Sequence, residues 1–315
     1  MTNLPILFAG NASVKLAEKI TLTPHAGIML GSIYHHQFPS GEWYCQLKEN
    51  VRGADVFLLQ STIEPVNDNL MQLLIMADAA RRASAGSVTA IIPYFGYSRQ
   101  DRKDKARVPI SAKLVMDILA ASGIQRVVTM DLHAPQIAGF TNLPFDHLYF
   151  RPSLIEALKD TPIDVVVAPD IGAVKRAEDY ARKMNADLAF ISKKRKNDTT
   201  VEATQFVGDV NGKSVLIIDD ITESAGTLVE ASKVCRTNGA ANVYCAVTHG
   251  CLSSTGKDRL LSAFGSGLMN KFFCSNTCKL DNGISPNVEV VDVSPLFLKA
   301  IQSITRRESI STLFE

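Results

Sequence analysis

Residues 215–227 read Val-Leu-Ile-Ile-Asp-Asp-Ile-Thr-Glu-Ser-Ala-Gly-Thr, and few backbones satisfy that order. Four apolar residues, mostly β-branched, specify a strand buried on both faces, as in parallel sheets covered by helices. Two carboxylates follow at its carboxyl end, then small and hydroxyl residues, and apolar residues resume at helical spacing from Leu228 to Val234. A strand–loop–helix unit of this kind turns backbone N–H groups and a helix N-terminus toward an anion, and Ser224 and Thr227 add hydroxyl donors. Gly226 lets the backbone approach closely. Asp219 and Asp220 stand where the hydroxyls of a bound sugar, or a metal holding them, would lie. A plain βα turn with the Asp pair as helix cap is the bland alternative, but two adjacent carboxylates repel and cap poorly. The loop lacks the Gly-Lys-Ser/Thr of a P-loop, so ordinary nucleotide hydrolysis is not implied.

A chain of 315 residues, 46% hydrophobic, has enough apolar material for two domains, each with a full core. Strand-to-loop units begin at Val88 and again at Val215, and each half alternates strand and helix, which predicts two similar α/β domains. Pro144 to Pro152 reads as the connection between them. A net charge of +1 without a long basic face disfavours nucleic-acid binding. No apolar run approaches the length of a membrane span, and Met1 to Gly10 lacks the charged segment and cleavage site of a signal peptide. Six irregularly spaced cysteines fit reduced thiols and a cytoplasmic location. His249, Cys251, Cys274 and Cys278 allow a zinc site to be imagined, but buried structural thiols are the expected reading.

Five further segments carry candidate chemistry. Tyr34 to Tyr44 places turn residues between two strand-like runs and reads as a protruding hairpin. Tyr94 to Pro109 follows a strand, has no helical apolar period and carries five basic and two acidic residues. Such a run is ordinarily a solvated loop, yet at a strand's carboxyl end it also suits a lid over phosphates. Ser111 is expected to cap the helix that follows, with Leu114, Val115, Ile118 and Leu119 on its buried face. Asp131-Leu132-His133 ends another strand, where a His with a nearby carboxylate can bind a metal, and Asp170 follows a third as a helix cap. Ser192-Lys193-Lys194-Arg195-Lys196 ends a strand at Ile191, and if the strand continues, Lys193 and Arg195 share a side. Asp198 to Phe206 reads as a polar loop.

Asp-Asp-Ile-Thr-Glu-Ser-Ala-Gly-Thr resembles the ribose-5-phosphate loop of the phosphoribosyltransferase superfamily. Arg99-Gln100-Asp101-Arg102, Pro109-Ile110-Ser111-Ala112-Lys113, Met130-Asp131-Leu132-His133-Ala134, Lys193-Lys194-Arg195 and Thr248-His249-Gly250 narrow the resemblance to the ribose-phosphate pyrophosphokinase family along nearly the whole chain. The resemblance implies a fold of two similar phosphoribosyltransferase-like domains, each a mostly parallel sheet flanked by helices. Residues 1–148 would form the ATP-side domain and 149–294 the ribose-5-phosphate domain, with a closing helix in 295–315 packing back on the first. It implies that Lys193 and Arg195 are catalytic. Phe38, Ser40, Gly41, Glu42, Arg99 and Gln100 would bind ATP, with Phe38 stacking on adenine. Arg195, Asp219, Asp220, Glu223, Ser224, Ala225, Gly226 and Thr227 would bind ribose 5-phosphate. His133 and Asp170 would hold Mg²⁺, which suits a cation that keeps few protein ligands beside waters and phosphate oxygens. Departures from the family pattern are Ser40 for Asp or Asn, Ser192 for Asp, Lys194 for Arg, Glu223 for Asp and Ser224 for Thr.

The implied reaction moves a diphosphoryl group from ATP to the anomeric hydroxyl of ribose 5-phosphate, giving 5-phosphoribosyl 1-diphosphate and AMP for nucleotide biosynthesis. The implied assembly is a homo-oligomer with shared active sites, a hexamer built from dimers or a smaller one, without nucleic-acid or membrane partners. Alternatives are a phosphoribosyltransferase that consumes the diphosphate sugar, a weakly active or non-catalytic paralogue, and, in a third class, nucleic-acid binding through Lys193–Lys196.

Overall fold

The computed structural model describes residues 4–195, 201–280 and 283–313, with backbone alone at 193–195, 201–204 and 312. The chain divides into two compact units. One comprises Met1–Tyr149, Thr277–Lys279 and Val293–Glu315, and the other Phe150–Asn276 and Leu280–Asp292.

The first unit runs β1 (Ile6–Ala9), α1 (Val14–Leu22), β2 (Met29–Leu30), β3 (Ile33–Gln37), β4 (Trp43–Leu47), β5 (Asp55–Leu59), α2 (Val66–Arg82), β6 (Ser87–Ile92), α3 (Ser111–Ala121), β7 (Arg126–Met130) and β8 (Phe145–Leu148). Six strands form one sheet in the order β2-β1-β5-β6-β7-β8, every neighbouring pair parallel. Helices cover such a sheet on both sides, which is why Val56, Phe57, Leu58 and Leu59 are all buried and no polar alternation survives. Ile6, Phe8, Leu58 and Ile92 from the sheet pack with Leu73, Met76 and Ala80 of α2 and with Val115, Met116 and Leu119 of α3. The C-terminal helix Ser294–Arg306 packs against α1 within this unit.

Three expectations shift. The stretch expected as a linker contains β8, which pairs with β7 from Phe145 to Leu148. Its Phe and Leu were hidden among prolines and polar residues. On α3 the buried face is Ala112, Val115, Met116 and Leu119, while Leu114 and Ile118 face out at 57% and 37% exposure. Ser111 is the first helical residue rather than the cap, and its hydroxyl donates instead to Gln100 Oε1 at 2.6 Å.

The second unit runs α4 (Arg151–Ala157), β9 (Val165–Ala168), α5 (Val174–Met184), β10 (Asp187–Arg195), β11 (Val201–Val207), β12 (Ser214–Thr222), α6 (Gly226–Thr237), β13 (Asn242–Gly250), α7 (Ser254–Gly265), β14 (Lys271–Ser275) and β15 (Val288–Val291). Its seven strands lie in the order β11-β10-β9-β12-β13-β14-β15. Only the edge pair β10–β11 is antiparallel. The polar loop expected at 198–206 is therefore largely strand β11, while 196–200 lies outside the described residues. An edge strand needs only one partner and one covered face, so its polar composition concealed it. Val165, Val167, Val215 and Ile217 join Leu228, Ala231 and Cys235 of α6 and Leu260 and Ala263 of α7 in the core.

Candidate active site

In a parallel α/β sheet all strands end on one edge, and ligands bind there. In the second unit that edge receives Asp170 after β9, Lys193 to Arg195 on β10, the 219–227 segment on and after β12, and Thr248 to Gly250 on β13. Strand β9 is short: Ala168 pairs with Phe190, and Val167 with Ile217. Both flanking strands run on past it, β10 to Arg195 and β12 to Thr222. Where β9 lies between them, β10 and β12 are two strand spacings apart, roughly 10 Å. The side chains of Lys193 and Arg195 lie outside the described set. The register with β11 shifts between Lys194 and Arg195, where Ala203 is followed by Val201.

Asp219 and Asp220 belong to β12 itself, since pairing with β13 continues to Thr222–Gly250. Side-chain exposure is 17% at Asp219 and 5% at Asp220, and one nitrogen, Nη1 of Arg176, reaches Oδ1 of each at 3.4 and 3.2 Å. Burial, and then the Asp220 charge, push the Asp219 carboxyl well above the ordinary carboxylate range, against the pull of Arg176. Arg176 sits on α5, three residues after buried Ala173 and four before buried Tyr180. Sequence reading treated it as part of a helix opening; a cation on the helix face otherwise built from Ala173, Ala177 and Tyr180 was the available signal.

The loop after β12 is built from behind. Ser253 donates its N–H and hydroxyl to the Glu223 carbonyl at 3.0 and 3.2 Å. Arg259 Nη1 donates to the Ser224 carbonyl at 3.2 Å. A trans peptide points N–H opposite C=O, so the Ser224 N–H is turned away from α7. Ala225 N–H donates to Thr222 Oγ1 at 3.1 Å. Ala225 takes a left-handed bend with φ 55°, and Gly226 permits a tight contact, since a Cβ there would lie 3.3 Å from Arg259 Nη1. Glu223, Ser224 and Thr227 are exposed, and α6 starts at Gly226 with an N-cap that has no polar side chain. The arrangement suits a phosphate: an uncapped helix N-terminus, exposed hydroxyls and a rigid loop.

Asp170 Oδ1 accepts from Ala173 N–H at 3.1 Å, capping the 3-10 turn Ile171–Ala173, and its side chain is exposed. Oδ1 of this exposed carboxylate is the capping oxygen, so the cap and a hard cation are compatible uses of one residue.

In the first unit the same edge carries Gly10–Ser13, Gln60–Thr62, Pro93–Gln100 and Asp131–His133. These loops lock together. Ser61 N–H donates to Ser13 Oγ at 2.8 Å, Tyr94 N–H to Ser61 Oγ at 3.2 Å, and Gly96 N–H to Thr62 Oγ1 at 2.6 Å. Ser13 therefore spends its hydroxyl on a tertiary bond and not on capping α1. Arg99 and Gln100 are exposed, and Gln136 Nε2 donates to Asp101 Oδ2 at 2.9 Å. His133 is exposed beside Asp131, whose φ is 37°, and His147 Nε2 accepts from the intervening Leu132 N–H at 2.9 Å.

Strands β3 and β4 form the expected antiparallel hairpin. At its tip Gly41 takes φ 91°, and Ser40 Oγ donates to Glu42 Oε2 at 2.7 Å. Phe38 is 45% exposed, edge-on to His36 at 4.8 Å. Trp43 Nε1 moors the hairpin to Asp68 in the first turn of α2 at 3.0 Å. Both ring nitrogens of His35 are buried, and burial lowers its pKa.

All six cysteines are free thiols, and burial pushes Cys235, Cys245 and Cys274 up to about 12. Among the described residues no group of three or more His, Cys, Asp or Glu side chains is placed to hold a metal.

Comparison with known proteins covers the whole chain. Residues 5–123 match the N-terminal domain of ribose phosphate pyrophosphokinase, and residues 201–315 match the phosphoribosyl synthetase-associated domain. A ribose-phosphate pyrophosphokinase of Caldanaerobacter subterraneus subsp. tengcongensis is 44% identical, covering 99% of this chain and 98% of that protein. One from Campylobacter jejuni is 40% identical, covering 98% of each. The crystal structure of phosphoribosylpyrophosphate synthetase from Mycobacterium smegmatis superposes with a TM-score of 0.89 at 35% identity, covering 96% of this chain and 99% of that one.

Proposed function

The chain belongs to the ribose-phosphate pyrophosphokinase family, and from that premise we propose how its residues divide the work. The enzyme makes 5-phosphoribosyl 1-diphosphate from ribose 5-phosphate for nucleotide biosynthesis, with ATP as diphosphoryl donor and AMP as second product. A phosphoribosyltransferase would leave the match over residues 5–123 unexplained.

Residues 149–294 hold the sugar and residues 1–148, with the helix in 295–315, serve ATP. The 5-phosphate rests on the Glu223–Thr227 loop and the N-terminus of α6. Asp219 and Asp220 accept hydrogen bonds from the ribose hydroxyls. The anomeric hydroxyl attacks the β-phosphorus in line and AMP leaves, with no covalent enzyme intermediate. Phosphoryl transfer depends mainly on position and charge stabilisation, the role of Lys193 and Arg195. Phe38 stacks on adenine, Ser40, Gly41 and Glu42 bind around it, and Arg99 and Gln100 contact the nucleotide. The 99–107 segment excludes water, because hydrolysis competes with transfer.

His133 and Asp170 are the residues that would hold Mg²⁺: each is exposed at a strand end of its own unit, and Asp170 offers a carboxylate that also caps a turn. When bound, the cation would offset charge on the ATP phosphates. The chain works as a homo-oligomer, a hexamer built from dimers or a smaller one, with the hairpin tip completing a neighbour's site. Irregularly spaced cysteines, all free thiols, support a cytoplasmic setting. No helix among the described residues is long and apolar enough to cross a membrane.

The observation that carries this reading is the loop anchored by Ser253 and Arg259 beside the buried acid pair, in a chain related over its full length to ribose-phosphate pyrophosphokinases. An assay of AMP release from ATP tests it. AMP should appear only with ribose 5-phosphate and Mg²⁺ together. Release of a free base with consumption of the diphosphate sugar would point to the transferase chemistry instead.

A further inference from the structure

We propose that Arg176 is a positioning residue for ribose 5-phosphate, holding the Asp219–Asp220 pair in one orientation and offsetting its negative charge. The inference rests on the assignment of those carboxylates to the sugar hydroxyls.

The geometry begins with β9. Because it stops at Ala168 while β10 and β12 continue, the sheet edge has a step there. Helix α5 packs on β9, β10 and β12, and Arg176 projects from it to the acid pair. Successive residues of a strand point to opposite faces, so two adjacent carboxylates have no inherent reason to converge on one atom. Here both Oδ1 atoms meet Nη1 of Arg176, at 3.4 and 3.2 Å. Asp219 Oδ1 also accepts the Asp220 N–H at 2.9 Å, which fixes its rotation. The three side chains are 17%, 5% and 22% exposed, so water screens them little.

The ligand makes this cation matter. Ribose 5-phosphate brings its own negative charge to the loop a few residues on, and an uncompensated acid pair would repel it. With Arg176 in place the negative charge of the pair is offset, and the pair still presents carboxyl oxygens as acceptors. A neutral hydrogen-bonding residue at 176 would keep the packing and lose the compensation. Lysine would keep the charge. ATP, bound through other residues, should not sense the difference.

The test is steady-state kinetics on the full-length enzyme, reading KM for each substrate and kcat. Arg176→Gln and Arg176→Met should raise KM for ribose 5-phosphate by about tenfold or more, with KM for ATP within twofold. Arg176→Lys should recover most of the loss. The idea is overturned if the neutral variants match the wild type, if both KM values move together, if the lysine variant falls as far as glutamine, or if neither neutral variant folds while lysine does. Asp219→Asn is the control on the underlying assignment. If it leaves KM for ribose 5-phosphate unchanged, the acid pair does not bind the sugar and the inference falls with it; if only the Arg176 variants are silent, the assignment stands and Arg176 is excluded.

Discussion

Asp219 shows what a carboxylate proposed to bind a ligand costs the fold that carries it. Burial and the Asp220 charge hold its carboxyl above the ordinary 3.8, so the folded chain keeps a proton that the unfolded chain releases. Stability from this group is complete below the unfolded value and drains away as pH rises through the raised folded value. Asp219→Asn should therefore melt close to wild type near pH 4 and progressively higher than wild type as pH is raised, in thermal scans across that range. A variant that gains nothing at alkaline pH would contradict the assigned direction. The role proposed for Lys193 makes it the opposite case, a charge needed for the reaction. Lys193→Ala should lower kcat by roughly 10²–10⁴ while leaving the melting profile intact. Near-normal turnover would remove it from the chemistry.

At the scale of elements, the loops are held by contacts that periodicity does not announce. Gly256 of α7 lies so close to the Glu223 carbonyl that a Cβ would clash with backbone. Gly256→Ala should push the phosphate loop and raise KM for ribose 5-phosphate by about tenfold or more, measured beside an unchanged KM for ATP. In the first unit, Gln60 is fully buried at the end of β5. Its amide donates to Asn69 Oδ1 at 3.1 Å and Gln72 Oε1 at 2.9 Å, and accepts from Ala12 N–H at 3.1 Å. Gln60→Leu strands these partners without water and should cost about 3 kcal/mol in urea unfolding. The apolar stripe Leu70, Leu73, Leu74 and Ala77 located α2 correctly, yet its most buried face includes Asn69 and Gln72. Hydrophobic periodicity cannot see polar groups buried in pairs.

For the whole molecule, the proposed sharing of sites predicts subunit complementation. Phe38→Ala and Lys193→Ala enzymes, each weak alone, should regain activity when dissociated and reassembled together, read as AMP release. No gain on mixing would confine each site to one chain.

What could be read from the amino acids alone was the local grammar. A β-branched run before Asp219 forces a buried strand, small residues after it force a tight loop, and apolar spacing from Leu228 forces a helix, all through interactions between near neighbours. Resemblance then supplied the roles proposed for His133, Asp170, Lys193 and the hairpin tip. Tertiary structure decided the rest, because its causes are distant in sequence. Strand β8 exists because β7 offers it a partner, and β11 because β10 does. Ser13 and Ser111 give their hydroxyls to Ser61 and Gln100, so neither caps a helix. Arg176 joins the acid pair only because a short strand leaves a step at the sheet edge, and a bond across 43 positions of chain has no signature in either segment.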